Sequence, residues 1–200
     1  MLSKEFLGIL SVVLTLVGYA SYFWSILKQK TKPHMFSWLV GGIVNGIAFF
    51  GQYSRGAGAG SWTTGATALI CFVIFGLSTV WGEWNITRSD WAAFIGALAA
   101  IPLWYFTSDP LGAIILAILI DAMGLYPTLR KSYSKPYEED LFAWAITTFR
   151  SLISLFALER YSLVTVIFPL AMAVLNGAVA FMLVWRRPFY KKPNLEAGTP

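Results

Sequence analysis

The amino-acid sequence predicts an all-α membrane protein with seven transmembrane helices. Of its 200 residues, 57% are hydrophobic and only 12% are charged, whereas soluble domains carry about 25% charged residues. A soluble protein with this composition would expose large apolar patches to water. Seven apolar runs have about the length that a spanning helix needs, and they cover residues 6–27, 36–53, 62–81, 91–107, 110–129, 141–158 and 163–185.

Lysine and arginine residues set the predicted orientation, because cytoplasmic loops of membrane proteins are enriched in them. Three cations fall on the side of the N-terminus, namely Lys4, Arg55 and Arg160. Eleven fall on the opposite side, and these are Lys28, Lys30, Lys32, Arg88, Arg130, Lys131, Lys135, Arg186, Arg187, Lys191 and Lys192. The sequence therefore predicts a multi-pass protein of an inner (plasma) membrane of the bacterial type, with its N-terminus outside and its C-terminus in the cytoplasm.

Two stretches of the chain resemble each other, which predicts an internal repeat. Residues 22–38 end an apolar run in basic residues, continue with Lys-Pro and open the next run with Phe-Ser-Trp. Residues 125–144 follow the same order, with Lys-Pro and then Phe-Ala-Trp, at an offset of 103 before the connection and 106 after it. Runs one to three thus match runs five to seven in the same orientation, and the fourth run reverses the chain between them.

The repeat divides the chain into four predicted units. Residues 1–82 form a first three-helix repeat, residues 83–109 an inverting linker helix, and residues 110–187 a second three-helix repeat. Residues 188–200 form a polar, proline-bearing tail, for which we predict disorder. Two parallel repeats related by an axis along the membrane normal are one of the plans on which transporters are built.

This arrangement resembles the SWEET and PQ-loop transporter superfamily over nearly the whole chain. The resemblance lies in the 3+1+3 helix plan, the outside N-terminus and the basic connections after the first and fifth runs. The superfamily's Pro-Gln pair is absent, since Trp24-Ser25 and Pro127-Thr128 stand at its two places. The resemblance implies two three-helix bundles and alternating-access movement of small solutes such as sugars or amino acids. The superfamily also contains receptors that do not transport.

Two ionisable residues near the predicted bilayer midplane need a reason to be there, because charges at that depth are costly. They are Asp121 in the fifth run and Arg150 in the sixth. A buried ion pair that locks these two helices together is one interpretation. In the other, Arg150 holds a carboxylate or phosphate of the solute, and a desolvated Asp121 carries a coupling proton. The first repeat has Gly18 and Val44 at the matching positions, so the charges occur in one repeat only.

Small and polar residues form stripes at helical spacing on six of the runs, which suits a lined cavity or close helix packing. These stripes include Ser11, Thr15, Tyr22, Asn45, Thr67, Cys71, Thr147, Ser151 and Asn176. For the solute or ion path we select Asp121 and Arg150 together with Tyr22, Asn45, Ser151 and Asn176. Hydrogen bonds between helices are the alternative role for the two asparagines. Pro127 and Pro169 are the candidate hinges, because proline frees backbone carbonyls within a helix.

The sequence favours a transporter or permease for a small, anionic or zwitterionic solute, linked to protons. A seven-helix receptor or accessory protein that binds a ligand without moving it is the alternative. An enzyme is not predicted, since no nucleophile motif or zinc ligand cluster occurs, and the seventh run lacks the lysine that a retinal protein needs. We predict no catalytic residue, metal or cofactor and no nucleic-acid partner. The expected partners are the small-molecule solute and the lipid bilayer, and a homo-oligomer is compatible with the sequence.

Overall fold

The structure is a computed structural model that describes residues 2–29, 33–82, 86–134, 136–137 and 139–190. These residues form seven α-helices, which are α1 Lys4–Leu27, α2 Met35–Ser54, α3 Trp62–Trp81, α4 Arg88–Thr107, α5 Pro110–Ser134, α6 Leu141–Phe156 and α7 Leu163–Arg186. Short 3-10 helices span Gly58–Ser61 and Arg187–Phe189. The helices match the seven predicted runs closely, except that α5 extends beyond residue 129. The tail from residue 191 onward lies outside the described residues.

Five helical segments are long and apolar enough to cross a membrane, namely Lys4–Trp24, Met35–Ser54, Gly58–Trp81, Asp90–Thr107 and Leu163–Phe189. The apolar segments in α5 and α6 are shorter, and cover Pro110–Leu125 and Leu141–Phe156. At a rise of 1.5 Å per residue, α6 extends about 24 Å, less than the roughly 30 Å of a typical hydrocarbon core. The helices are therefore compatible with a membrane protein, and five of the seven predicted crossings meet the length and hydropathy requirement.

Side-chain caps begin several of the helices where the sequence changes from polar to apolar. Thr87 and Asp90 form a capping box at the start of α4, and Ser162 and Thr165 form one at the start of α7. The Asp140 carboxylate accepts the N–H of Phe142 in the first turn of α6. Such caps satisfy backbone donors that the helix itself leaves without partners.

The helices pack in an order that differs from their order along the chain. Helix α3 packs against both α1 and α2, and α7 packs against both α5 and α6. Across the molecule, α1 packs against α6 and α2 against α5, with smaller contacts of α2 with α7 and α3 with α6. Helix α4 packs against α2 and α5. Helices α5, α6 and α7 take the places of α1, α2 and α3 in this pattern. If the labels of the two sets are swapped, the same pairs among these six helices are in contact.

We call α1–α3 the first half and α5–α7 the second half. Following the orientation predicted from the cations, we label the end with residues 55–61 and 157–162 the outer end, and the end with the described residues of the connections after α1, α3 and α5 the inner end. The largest apolar core lies between α2, α4, α5 and α7, and it contains Val40, Val44, Ala48, Ala97, Ile114, Ala117, Ile120, Val164 and Phe168. Many large apolar side chains face outward instead, as Val80, Phe106 and Phe181 do at 74%, 81% and 70% exposure. This distribution suits a lipid environment.

Candidate functional site

Arg150 is the most deeply buried charged side chain among the described residues, with 8% of its surface exposed. It lies on α6, but its guanidinium reaches into the first half. Its Nη1 donates hydrogen bonds to Oγ1 of Thr15 on α1, at 3.0 Å, and to Oγ1 of Thr67 on α3, at 2.7 Å. The Cζ atom lies 5.8 Å from the centre of the Tyr19 ring. Arg150 thus joins the two halves through neutral partners.

The two threonines belong to a chain of buried hydroxyls that leads from Arg150 towards the outer end. Thr15 donates to the carbonyl of Ser11, and Thr67 donates to the carbonyl of Thr63. The Thr63 hydroxyl donates to the Ser11 hydroxyl, which donates to the carbonyl of Gly8. The spacing of four residues on each helix puts these hydroxyls on one face. Every hydroxyl in the chain therefore has a partner, as buried polar groups require.

The predicted ion pair between Asp121 and Arg150 is wrong. No carboxylate of the described residues lies within 4.0 Å of the Arg150 guanidinium, and Asp121 forms no hydrogen bond or ion pair with any of them. The physical reason is the packing order. Helix α7 packs between α5 and α6, so two helices that are consecutive in the chain are not neighbours in the structure. Within the described part of the chain, Asp121 and Arg150 are thus two separate charges without a counter-ion.

Both charges nevertheless act on the same central region. Tyr19 on α1 and Cys71 on α3 are each within electrostatic range of both Asp121 and Arg150. The Sγ atom of Cys71 packs beside Gly41, 3.5 Å from the position that a Cβ there would take. Asp121 is only partly buried. The Asp121 charge thus acts electrostatically on residues of the opposite half.

The two selected asparagines are bonded within their own helices. Asn45 Nδ2 donates to the Gly41 carbonyl at 3.0 Å, and Asn176 Nδ2 donates to the Met172 carbonyl at 2.6 Å. Neither side chain makes a hydrogen bond to another helix in the described part of the chain. The alternative role of the asparagines as interhelical hydrogen-bonding residues is therefore wrong, and a role in the path stays a prediction.

Tyr22 and Ser151 lie at different levels of the bundle. The Tyr22 ring packs on Trp38 with a centroid distance of 5.1 Å, near the inner end. Ser151 is buried next to Arg150, and its hydroxyl donates to the carbonyl of Thr147 one turn earlier. Ser151 is therefore close to the buried cation, whereas Tyr22 belongs to an aromatic cluster that also includes Tyr19.

The two candidate hinges lie within continuous helices. Helix α7 runs through Pro169, which is buried, and α5 runs through residue 127. The side chain of Pro127 lies outside the part that the structure describes. Hinge motion at either position stays a prediction.

Sequence reasoning missed Tyr19 and did not single out Thr15 and Thr67 from the other polar stripe residues. A threonine in an apolar helix usually bonds to its own backbone, and Thr15 and Thr67 also do so. Their second role as acceptors for Arg150 depends on three helices meeting. The spacing of Ser11 to Thr15 and of Thr63 to Thr67 is the one signal that could have indicated it.

At the outer end, the two halves interlock through the connections after α2 and α6. The backbone N–H of Glu159 donates to the Ala57 carbonyl at 3.1 Å, and its Oε1 accepts from the N–H of Ala59 at 3.3 Å. Gly58 has a φ of +55°, and a Cβ there would overlap the Glu159 side chain. Lys4 Nζ donates to the Phe156 carbonyl at 2.7 Å. The halves are therefore held together at this end.

At the inner end, Gly82 and Arg187 contact connections of their own half instead. Gly82, which follows α3, lies against Pro33 of the first connection. Arg187, which follows α7, donates to the carbonyls of Pro136 and Glu139 in the second. Pro33 and Pro136 are the prolines of the two repeated Lys-Pro pairs. Among the described residues, no hydrogen bond or ion pair joins the first and second halves at this end.

The sequence matches no protein-family model, no curated protein and no solved structure. A function is therefore inferred below from the residues of this chain. Within the described ranges, no group of three or more His, Cys, Asp or Glu side chains is placed to hold a metal ion.

Proposed function

We propose that this chain is a small-solute membrane transporter that works by alternating access between its two halves. The proposal includes seven membrane crossings with the N-terminus outside. The short α6 would then cross with its ends in a locally thinned bilayer or near the headgroup layer. The single observation that carries the proposal is Arg150, a buried cation that joins the two halves and has no anionic partner among the described residues.

A buried charge without a counter-ion is unfavourable, so a protein that retains one has a use for it. The hydroxyls of Thr15 and Thr67 satisfy two N–H groups of Arg150, but they do not neutralise its charge. An anionic group of a solute would neutralise it, and a guanidinium binds carboxylates and phosphates well. We therefore assign Arg150 as the anchor for an anionic group of the transported molecule.

The packing pattern supports two similarly built halves. In each half, the third helix packs against the first and second helices of that half. Between the halves, the first helix of one half packs against the second helix of the other, and these contacts are α1–α6 and α5–α2. The Lys-Pro connections also contact the end of the third helix in both halves. This is the contact pattern expected of a parallel repeat, and it supports the resemblance to the SWEET and PQ-loop superfamily. Alternating access would then be a rocking of one half against the other.

The difference between the two ends supports a state that is closed to the outside. Contacts between the halves include the interlocked connections at Ala57 and Glu159, whereas the hydrogen bonds of Arg187 at the described part of the inner end stay within the second half. A solute at Arg150 would be separated from the outer end by the hydroxyl chain and these connections. Opening to the outside requires these contacts to break, and the inner end must then close.

Proton coupling is the second part of the proposal. The Asp121 carboxylate lacks a partner among the described residues, so a proton is one group that can neutralise it. In liposomes that hold the purified protein, an imposed proton gradient should then stimulate uptake by the unaltered protein and have little effect on Asp121→Asn. Equal stimulation of both proteins would remove Asp121 from the coupling step.

The test of the transport proposal is solute uptake into liposomes that contain the purified full chain. A panel of labelled amino acids, organic acids and sugars should identify a solute that accumulates faster than in protein-free liposomes. Arg150→Ala should reduce this uptake at least about tenfold, because a charge-assisted hydrogen bond contributes about 1.5–3 kcal/mol. Arg55→Ala is the matched control, since it removes an exposed arginine of the outer end.

Two outcomes would contradict the proposal. Uptake that is unchanged in both Arg150→Ala and Asp121→Asn would remove the two charges from the mechanism. Saturable binding without flux, over the whole panel and in both gradient directions, would identify a receptor or accessory protein instead.

A further inference from the structure

Arg186, the last residue of α7, lies among exposed aromatic side chains at the inner end. Its Cζ atom lies 3.9 Å from the centre of the Tyr133 ring at the end of α5. Three further rings lie between 5.2 and 5.7 Å from the same atom, and they are those of Trp185, Phe189 and Tyr190. Arg186 Nε donates to the Tyr133 carbonyl and Nη2 to the Tyr190 hydroxyl, both at 3.0 Å. We call Arg186 and these four aromatic residues the Arg186 cluster.

The positive charge of Arg186 is not neutralised within the described part of the chain. No carboxylate of those residues lies within 4.0 Å of its guanidinium. Its hydrogen bonds go to neutral oxygens, and Nη1 donates to none of the described groups. The neighbouring Arg187 differs, because it donates to the carbonyls of Pro136 and Glu139 in the connection after α5. Arg186 therefore offers both a charge and N–H groups to a ligand that comes from outside the protein.

One face of α7 indicates the depth at which the Arg186 cluster lies. Apolar side chains four or seven residues apart are exposed along this face, and they are Leu163, Leu170, Val174, Phe181 and Trp185. The opposite face is buried in the protein through Phe168, Val179 and Leu183. At a rise of 1.5 Å per residue, the exposed stripe is about 33 Å long, close to the roughly 30 Å of a hydrocarbon core. If this stripe faces lipid tails, the Arg186 cluster lies at the level of the lipid phosphates.

We propose that the Arg186 cluster binds the phosphate of an anionic phospholipid, whose acyl chains lie along the exposed stripe of α7. This inference rests on the membrane crossing included in the proposed function, and it adds a ligand site away from Arg150. A guanidinium forms charge-assisted hydrogen bonds to phosphate oxygens, and aromatic side chains favour the headgroup layer. A zwitterionic headgroup would bring its own cation towards further basic residues that are close in sequence, namely Arg130, Lys131, Lys191 and Lys192. Clusters of this kind on the cytoplasmic side favour anionic lipids.

The experiment counts the lipids that stay bound to the purified full chain in native mass spectrometry. The micelles contain equal amounts of phosphatidylglycerol and phosphatidylcholine with the same acyl chains. The unaltered chain should retain phosphatidylglycerol at least about fivefold better, and Arg186→Gln should reduce this ratio to less than about twofold, since one basic residue near an anionic surface contributes a factor of about five. Arg55→Gln is the matched control, because it removes an exposed arginine of the outer end, and it should leave the ratio unchanged.

A second pair of variants leaves the hydrogen bonds of Arg186 in place, so it decides the question even if Arg186→Gln folds poorly. Phe189 is exposed, and its ring lies 5.6 Å from Arg186 Cζ. Phe189→Glu puts a carboxylate beside the guanidinium and should reduce the phosphatidylglycerol ratio to less than about twofold, because it repels the phosphate and neutralises Arg186. Phe189→Gln has nearly the same size without the charge, and it should retain most of the preference.

Several outcomes would overturn the lipid site. These are equal retention of the two lipids by the unaltered chain, and a preference that is unchanged in Phe189→Glu and in folded Arg186→Gln. Displacement of the lipid by an equal concentration of soluble glycerol phosphate would identify a site for a free phosphate compound instead. Transport and lipid binding can fail separately. Solute uptake without a preference for phosphatidylglycerol leaves the transport proposal standing, whereas the expected lipid ratios without flux support the lipid site and overturn transport.

Discussion

The α1–α6 interface and the α2–α5 interface occupy corresponding positions in the packing pattern, but their chemistry is opposite. At the first, Arg150 bonds to Thr15 and Thr67, and Ser11 and Thr63 continue the polar chain. At the second, the position that matches Arg150 by the repeat offset is Val44, which is fully buried among apolar side chains. We call them the polar seam and the apolar seam.

Under the proposed rocking motion, this difference predicts which seam opens to water. Separating the polar seam exposes hydroxyls and a guanidinium, which water solvates well. Separating the apolar seam exposes Val44, Ile114 and Phe168, at about 25 cal/mol per Å² of apolar surface. If the two halves rock against each other as proposed, movement that keeps the apolar seam closed and opens the polar seam costs less free energy, and Arg150 lies beside the seam that would open.

The strongest test moves a charge from one seam to the other. Val44→Arg should prevent normal folding or insertion, because the core cluster that contains Val44 consists of apolar side chains, which cannot hydrogen-bond the new guanidinium. A charge at this depth costs about 2.5–3.5 kcal/mol even on insertion scales, and the clash adds to it. The measurement is the folded, monodisperse fraction after purification. Val44→Ala is the control and should be recovered with only a modest loss of stability. A well-folded Val44→Arg would contradict the difference between the polar and the apolar seam.

Cross-links test which seam must open. In a Cys71→Ser background, a short thiol cross-linker between Ala57→Cys and Glu159→Cys should stop uptake, since Glu159 N–H already bonds to the Ala57 carbonyl across the outer end. Reduction should restore it. The same treatment of Gly51→Cys with Pro110→Cys bridges the apolar seam, where a Cβ at Gly51 would lie 3.1 Å from that of Pro110. Protein that is cross-linked at this pair should retain uptake. Inhibition by both cross-links would contradict the prediction that the apolar seam stays closed during movement.

Much of the helix layout could be predicted, because hydropathy and length are local properties of the sequence. Asp121 and Arg150 could be identified for the same reason, as both interrupt apolar runs. Their partners could not be predicted, because pairing depends on α7 packing between α5 and α6. Asn45 and Asn176 illustrate the same limit, since an asparagine in an apolar helix has the same sequence signature whether it bonds to its own backbone or to another molecule.

A smaller effect is expected from the hydroxyls that support Arg150. The double substitution Thr15→Val and Thr67→Val should lower the free energy of unfolding by about 1–3 kcal/mol, because it leaves two buried N–H groups without acceptors. Thermal unfolding in detergent measures the loss. Thr15→Ser and Thr67→Ser keep both hydroxyls and are the controls. In an Arg150→Leu background the valine substitutions should have little effect, and a loss of equal size there would show that the threonines act without Arg150.

The smallest effect is predicted for the ion pair between Arg55 and Asp109, which joins the outer ends of α2 and α5. Its atoms are 3.4 Å apart, but the side chains are 46% and 52% exposed. Such pairs contribute about 0–1 kcal/mol and are screened by salt. Asp109→Asn should therefore change the melting temperature by no more than a few degrees, and the change should shrink as salt rises. A loss of stability that is independent of salt and as large as that of the double threonine substitution would mean that the apolar seam also depends on a charge. The two seams would then differ less in their chemistry.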